Sequence, residues 1–358
     1  MKMKKFIWMA VVAMMPLVAC SKAATKSSAG AESQAVAEKA DLGFLEKLGV
    51  DVSNIHTLGD PNDSVDYNDI KTLTVDQVLA LVPMARTEPR EMLEDWYDLV
   101  SARALPGGYT MLLFSVQTGD DSSEEMLGIY DKDGKLTDMM QLGDMEGFVV
   151  KDWPDASKQG TAQATDIKLR FDKPNELTVE QTDKEGSWTE DDESRPSELT
   201  NLKWQLQTVR RYAIDDKGHM KLIEDKEVKR EGTVDPWCDP KNIENTIWKL
   251  SMLPIGDPGR VDLLNEKANE LIKKHGKATF DEEMAPAVQM VLEDYYKSNP
   301  ETVLMWVYNH RNEENVIVEQ LKGLFTEGGH DKKMLAEFIG QLPDKTAKDF
   351  LSGLTAGW

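Results

Sequence analysis

The chain has 358 residues, with 42 Lys and Arg against 64 Asp and Glu, so its formal net charge is −22. Proteins that bind nucleic acid present a basic surface, so this charge argues against nucleic acid as a partner and against electrostatic docking onto anionic lipid. Hydrophobic residues make up 40% of the chain and the mean hydropathy is −0.48, which excludes a multi-span membrane protein. The length suffices for two or three folded domains.

Residues 1–19 have the organisation of an export signal. Three lysines lie within the first five residues, and residues 6–19 form an uncharged, mostly apolar run. This run is shorter than the roughly twenty apolar residues that a membrane-spanning helix needs. A positive start followed by a short apolar run predicts a signal peptide that is absent from the mature chain.

The apolar run ends in Leu17-Val18-Ala19-Cys20. This tetrapeptide resembles the lipobox of bacterial lipoproteins, in which an aliphatic residue and two small or β-branched residues precede the cysteine. The resemblance implies that residues 1–19 are removed, that the Cys20 thiol carries a diacylglycerol, and that the new amine is acylated, with palmitate among the chains. Each buried methylene contributes about 0.8 kcal/mol, so two or three chains attach the protein almost permanently. An ordinary secretory signal with a chance cysteine is the alternative.

The residues after Cys20 predict the destination and a spacer. Ser21, in place of Asp, resembles the sorting signal of outer-membrane lipoproteins, which implies an outer-membrane anchor with the protein facing the periplasm. Residues 20–40 are mostly Ala, Ser, Lys, Gly and Glu. Such a segment buries too little apolar surface to offset its conformational entropy, so it is predicted to be a flexible tether.

Residues 41–105 are predicted to form a small helical segment. Apolar residues between positions 44 and 48 are spaced for a short helix. Thr74-Val75-Asp76-Gln77 fits a capping box that opens a second helix. A third helix is predicted from the spacing of Met92, Trp96, Leu99 and Val100.

Residues 106–233 are predicted to form an antiparallel β-domain, because apolar residues alternate with charged or polar ones over 167–171 and 202–207. A spacing of Asp, two residues, then Gly or Asn predicts hairpin turns, in which Asp caps the turn and Gly or Asn takes a positive φ. The four copies pair Asp131 with Gly134, Asp172 with Asn175, Asp183 with Gly186 and Asp215 with Gly218. The first copy also resembles a calcium loop, but its twelfth position is Leu142 rather than Glu, so a turn is favoured.

Residues 234–358 are predicted to form a helical bundle of short helices. Helix-start signals precede the apolar stretches at Asp257-Pro258, Thr279-Phe280-Asp281-Glu282, Asn299-Pro300 and Asp344. The predicted fold class is therefore α+β: an antiparallel β-domain followed by a C-terminal helical bundle, behind a flexible lipidated tether.

Tryptophans in or beside the β-domain are the candidate ligand-binding residues. Trp153, Trp188 and Trp237 offer flat aromatic faces on which a glycan can stack, and the alternative is that they fill the core. Trp204 lies on an alternating face and is expected in the core. No cofactor motif is present, and the five histidines lie too far apart in sequence to suggest a metal site.

Cys238 is the second of two cysteines and lies in a turn-rich joint between the β and helical regions. Burial as a small apolar residue is favoured over a nucleophile or an intermolecular disulfide.

The sequence therefore predicts a non-catalytic lipoprotein of the cell envelope whose folded part contacts an envelope protein or a periplasmic ligand. A lipid-anchored hydrolase of glycan or peptide is the alternative, and a glycan-binding module is a further one. A hydrolase requires paired carboxylates in a cleft, or Cys238 beside a histidine. A glycan-binding module requires exposed tryptophans, and a protein scaffold requires a large apolar patch on the bundle.

Overall fold

The computed structural model describes residues 40–59, 70–83, 85, 90–119, 122–145, 147–152, 160–188, 199–236, 238–242, 250, 253–254, 259–313, 315–327 and 332–358. The signal peptide, Cys20 and most of the tether lie outside these ranges. Within them, no helix has both the length and the apolar character needed to cross a membrane.

The fold is α+β, with two β-sheets followed by a helical region, as predicted. The strands are β1 (His56–Thr57), β2 (Lys71–Thr72), β3 (Tyr97–Leu105), β4 (Tyr109–Gly119), β5 (Ser122–Tyr130), β6 (Leu136–Gly143), β7 (Phe148–Asp152), β8 (Gly160–Lys173), β9 (Glu176–Trp188), β10 (Thr200–Ile214) and β11 (Met220–Gly232). The first sheet has the order β1-β3-β4-β5-β6, with β2 also beside β3, and the second has the order β11-β10-β9-β8-β7. β1 pairs with β3 in parallel, and the other pairs in the two sheets are antiparallel.

The two sheets pack face to face over a shared apolar core. From the first sheet this core takes Met111, Leu113, Leu127, Ile129 and Met140, and from the second it takes Ile167, Leu177, Val179, Tyr212 and Ile214. The opposite face of the first sheet is covered by two short helices, α1 (Gly43–Lys47) and α2 (Val75–Leu81). The N-terminal part of the chain therefore has three layers: helices, first sheet and second sheet.

The helical region has a core of its own. Its helices are α3 (Gly259–His275), α4 (Ala285–Ser298), α5 (Pro300–Asn309), α6 (Val316–Glu327), α7 (Lys332–Gln341) and α8 (Lys345–Thr355), with a helical turn at Lys277–Thr279 and a π-helical turn at Phe280–Met284 before α4. Apolar residues from all six helices form one buried cluster. Burial raises the pKa of Tyr212 of β10, and the charges of Arg210 and of Arg260 on α3 oppose that rise.

The helix predicted through Trp96 and Val100 is wrong, because Tyr97–Leu105 is strand β3. Successive side chains of a strand point to opposite faces of the sheet. Because both faces of a central strand are buried, two neighbouring residues can both be apolar. Leu99 packs in the layer with α1 and α2, whereas Val100 packs in the core between the sheets. The segment 41–105 thus contributes strands to the first sheet as well as helices.

Two of the four predicted Asp-led turns are confirmed. Asp131 and Asp215 each accept two backbone N–H bonds within their turns, and Gly134 and Gly218 have φ of 80° and 75°. Asn175 lies in the hairpin between β8 and β9, but its φ is not positive. The turn predicted at Asp183-Gly186 is wrong, since both residues lie inside β9. Asp183 is buried there and takes hydrogen bonds from Thr165 and Gln181.

Most described helix-start predictions hold, with one correction. The capping box at Thr74 is present, and Asn299 and Asp344 accept backbone N–H bonds at the starts of α5 and α8. Thr279 is no cap, because the helical turn already begins at Lys277. Pro286 has no N–H to donate to the carbonyl four residues earlier, and the π-helical turn lies directly before it. The signal at Asp257 lies outside the described residues.

Candidate functional site

Trp188 and Trp204 are core residues rather than exposed platforms. Trp188 is 3% exposed, packs edge-on against Phe148 with ring centroids 5.9 Å apart, and donates its indole N–H to the Asp152 carbonyl. Trp188 therefore offers no free face to a sugar, although the sequence made it a candidate ligand-binding residue. Trp204 is 4% exposed, as expected of a core residue. Trp153 and Trp237 lie outside the described residues, as does Cys20.

Residues 234–236 and 238–242, here called the strap, follow β11 and lie across the second sheet. Val234 and Cys238 of the strap pack with Trp204 and Leu206 of β10. Cys238 is half-buried in this apolar cluster. Its surroundings support the interpretation of Cys238 as a small apolar packing residue.

Polar contacts tie the strap to two different strands. Asp235 accepts a hydrogen bond of 2.9 Å from the Gln163 side chain on β8. Asp239 accepts two hydrogen bonds, 2.9 and 2.8 Å long, from the Arg230 guanidinium on β11. Because β9 and β10 lie between these strands, the strap crosses the sheet from β8 to β11.

Glu185 lies beneath the strap, and its carboxylate is held by hydrogen bonds. Its side chain accepts hydrogen bonds from Lys203, Gln163 and the Trp204 indole. Burial acts to raise the pKa of Glu185, but these hydrogen bonds outweigh it and leave the pKa below its ordinary value. A general acid needs a raised pKa, so this carboxylate serves structure rather than proton transfer.

A groove between α7 and α8, here called the C-terminal groove, is the candidate ligand site. Its volume is about 320 Å³. Six residues define its walls, floor and ends: Lys332, Leu335 and Ile339 of α7, Lys348 and Ser352 of α8, and Trp358. No Asp or Glu side chain of the described residues lines it. Two lysines therefore line this groove in a chain of net charge −22.

Helical periodicity builds both walls of this groove. Lys332, Leu335 and Ile339 are three and four residues apart and therefore share one face of α7. Lys348 and Ser352 share a face of α8 for the same reason. Leu335, Ile339 and Trp358 also belong to the buried core of the bundle, so the floor is apolar and fixed. The Trp358 ring stacks on Phe325 of α6 with centroids 6.0 Å apart.

The two lysines lie at opposite ends of the C-terminal groove. The Lys332 ammonium donates to the main-chain oxygen of Trp358, and the Lys348 ammonium donates to the Gly340 carbonyl. An ammonium has three N–H donors, so each lysine retains donors beyond the one engaged here. The groove therefore has an apolar floor and a lysine at each end, and a main-chain oxygen engages each ammonium.

A second cavity, of about 230 Å³, lies on the other side of α8 and is lined in part by His310, Phe350 and Leu354. The His310 ring stacks on Trp306 at 4.2 Å, and its Nδ1 lies 2.9 Å from the Trp306 carbonyl, so Nδ1 carries a proton. Its Nε2 faces Asp262 Oδ1 at 3.6 Å, and the same oxygen accepts the Trp306 indole N–H at 2.6 Å. This carboxylate links α3 to α5 and is engaged in packing.

Two broader observations bear on the alternatives. Within the described part of the chain, no group of three or more His, Cys, Asp or Glu side chains has the arrangement of a metal site. Among the described residues of the bundle, Met290, at 43% exposure, is the one large exposed hydrophobic side chain. One such residue does not make the apolar patch of several hundred Å² that a protein scaffold presents.

No protein-family model, curated protein or solved structure matches this chain. The amino-acid sequence alone did not predict the C-terminal groove. The spacing of Lys332 and Lys348 among small and apolar residues is its local signal, but that spacing does not show that α7 and α8 pack side by side.

Proposed function

We propose that this chain is a lipid-anchored, non-catalytic protein of the cell envelope that binds a ligand. The anchor is Cys20, in the outer membrane, and the folded part faces the periplasm. Support for the anchor comes from the order along the chain: a charged start, a short apolar run, Leu17-Val18-Ala19-Cys20, then a polar tether ahead of the first helix at Gly43. In this arrangement lipid supplies attachment and the tether supplies reach.

The observation that carries the binding role is the C-terminal groove. Small-molecule sites are concave and mostly apolar, with a few polar groups that orient the ligand, and their volumes start at about 300 Å³. At about 320 Å³ this groove lies at the lower end of that range, and apolar and polar side chains both line it. The described part of the bundle has one large exposed hydrophobic residue, Met290, so the bundle does not present the apolar patch expected of a protein scaffold.

Metabolic labelling with an alkyne fatty acid tests the anchor. We expect the wild-type chain to incorporate label and Cys20→Ala to lose it and to accumulate as unprocessed precursor, because the lipid is attached to that thiol. Cys238→Ala is the matched control, since it removes the other cysteine of the chain and should label like wild type. Undiminished labelling of Cys20→Ala would refute the anchor.

A further inference from the structure

Side chains at two separate points hold the strap to the second sheet. Near its start, Asp235 accepts the hydrogen bond from Gln163 of β8 and lies 3.8 Å from the Lys151 ammonium of β7. Near its end, Asp239 accepts both hydrogen bonds from Arg230 of β11. In each of these contacts the strap contributes a carboxylate. All of them therefore weaken together when the aspartates of the strap are protonated.

Two carboxylates of the sheet belong to the same network. Glu227 of β11 lies 3.4 Å from the Lys241 ammonium of the strap. Glu185 of β9 accepts hydrogen bonds from Lys203 of β10 and from Gln163, the side chain that also binds the strap. Acid therefore acts on the sheet beneath the strap as well as on the strap itself.

The charge state of these carboxylates sets the pH at which the contacts are lost. Hydrogen bonds from Arg230 hold the pKa values of Asp239 and Glu227 below the ordinary carboxyl range. The stabilisation from such a group is complete above the unfolded pKa, near 4, and is lost as the pH falls through the folded pKa. The contacts at this end of the strap are therefore intact at neutral pH and are lost in acid.

The apolar cluster under the strap is small and separate from the main cores. It consists of Trp204 and Leu206 of β10, here called the apolar strip, with Val234 and Cys238 of the strap. Release of the strap removes two of these four residues and uncovers the other two. The core between the sheets and the core of the bundle consist of apolar and aromatic side chains, which keep the same charge between pH 7 and 4. Titration in this range therefore acts on the strap more directly than on these cores.

Gly232 lies where β11 ends, directly before the strap, and has a φ of 70°. Glycine adopts this region without steric cost, and hinges are commonly a few residues at the ends of elements that absorb a change in φ and ψ. The strap itself contains a turn, in which Cys238 and Asp239 donate their backbone N–H groups to the Asp235 carbonyl. The strap is therefore a unit with its own local bonds behind a hinge.

We propose that the strap is an acid-released latch. Protonation of its aspartates frees it from the second sheet as one unit, and it turns about Gly232 while both sheets and the bundle stay folded. The apolar strip then becomes exposed to solvent. This device is independent of the ligand role proposed for the C-terminal groove, which is lined by described residues within 332–358.

Nile red, a neutral dye that fluoresces on apolar surfaces, tests the proposal. The protein is the mature chain, residues 20–358, with Cys20→Ala so that neither lipid nor detergent binds the dye. We expect the dye emission to be constant from about pH 7 to 5 and several-fold higher below about pH 4, while amide exchange of β4 and α4 stays slow. No rise in emission at about pH 3.5 would overturn the proposal. A rise accompanied by fast exchange in β4 and α4 would also overturn it, because that is global unfolding.

A variant of the strap reproduces the acid form at neutral pH. Asp235→Asn/Asp239→Asn removes both carboxylates of the strap, so we expect its dye emission at about pH 7 to approach that of the wild type at about pH 3.5. Glu224→Gln/Glu231→Gln is the matched control, since these two carboxylates lie on the other face of β11 from Arg230. Its emission should stay at the wild-type level. Equal emission from the two double variants at about pH 7 would overturn the latch.

Discussion

Arg230 of β11 and Asp239 of the strap form a two-bond ion pair, with N–O distances of 2.9 and 2.8 Å. The same guanidinium binds Glu227, three residues earlier on the strand. Both Arg230 and Asp239 are less than a quarter exposed, so the pair is screened less than an ordinary surface pair. It joins the last strand of the second sheet to the segment that covers the apolar cluster around Cys238.

Loss of this pair should loosen the strap. We expect Arg230→Gln to lower the free energy of unfolding by about 1 kcal/mol, since four charge-assisted bonds, two to Asp239 and two to Glu227, are lost at a partly exposed site. The reaction of Cys238 with a thiol reagent, in the Cys20→Ala background, should speed up several-fold, because Cys238 packs against Trp204 and Leu206 only while the strap lies on the sheet. Lys229→Gln is the control, as this lysine is exposed and faces Glu231 instead. Equal reaction rates in both variants would contradict a role of Arg230 in closing the strap.

The strap should also loosen in acid. The hydrogen bonds from Arg230 lower the pKa values of Asp239 and Glu227 below the ordinary carboxyl range. A carboxyl group whose pKa is lower in the folded than in the unfolded protein stabilises the folded state. This stabilisation is complete above the unfolded pKa, near 4, and it is lost as the pH falls through the folded pKa. We therefore expect proton–deuterium exchange of strap amides, corrected for intrinsic rates, to be constant from pH 7 to 5 and faster below about pH 4. Exchange that stays equally slow at pH 3 would contradict this linkage.

Two glycines are required by the confirmed turns. Gly134 and Gly218 have positive φ, and a Cβ on them would meet Phe44 and Thr137 respectively, each at 2.7 Å. We expect Gly134→Val and Gly218→Val each to lower the free energy of unfolding by at least about 1 kcal/mol, because a β-branched residue resists positive φ. Gly353→Ala, at an open helical position, should leave stability unchanged or raise it. Chemical denaturation of the three variants checks the expectation, and unchanged midpoints for both valine variants would contradict it.

Asp138 connects the two sheets. It is 1% exposed, and its carboxylate accepts the backbone N–H groups of Met139 on β6, at 2.8 Å, and of Met220 on β11, at 2.6 Å. Asp138→Asn replaces one accepting oxygen with a donor that faces an N–H group, so we expect a loss of about 1–3 kcal/mol in unfolding free energy. Asp133→Asn, in the exposed turn after β5, should change it by less than about 0.5 kcal/mol. Denaturant unfolding compares the two, and a neutral Asp138→Asn would show that the bond to Met220 is dispensable.

Local sequence determined the features that depend on residues a few positions apart. The capping box at Thr74, the caps at Asn299 and Asp344, and the turns at Asp131 and Asp215 each follow from contacts within four residues. The α+β order, strands before helices, follows from the same short periods in the apolar pattern.

Tertiary structure decided the features that depend on which elements become neighbours. Val100 and Leu99 look like one helical face, and only the layers on both sides of β3 assign them to opposite faces. The residues around Trp188 in the sequence do not show whether its ring is exposed or buried. The packing of Phe148 against the ring decides that it is buried. The C-terminal groove exists because α7 and α8 lie side by side, which no period within either helix specifies. Contacts between segments distant in sequence set burial and concavity, and these two properties define where a ligand can bind.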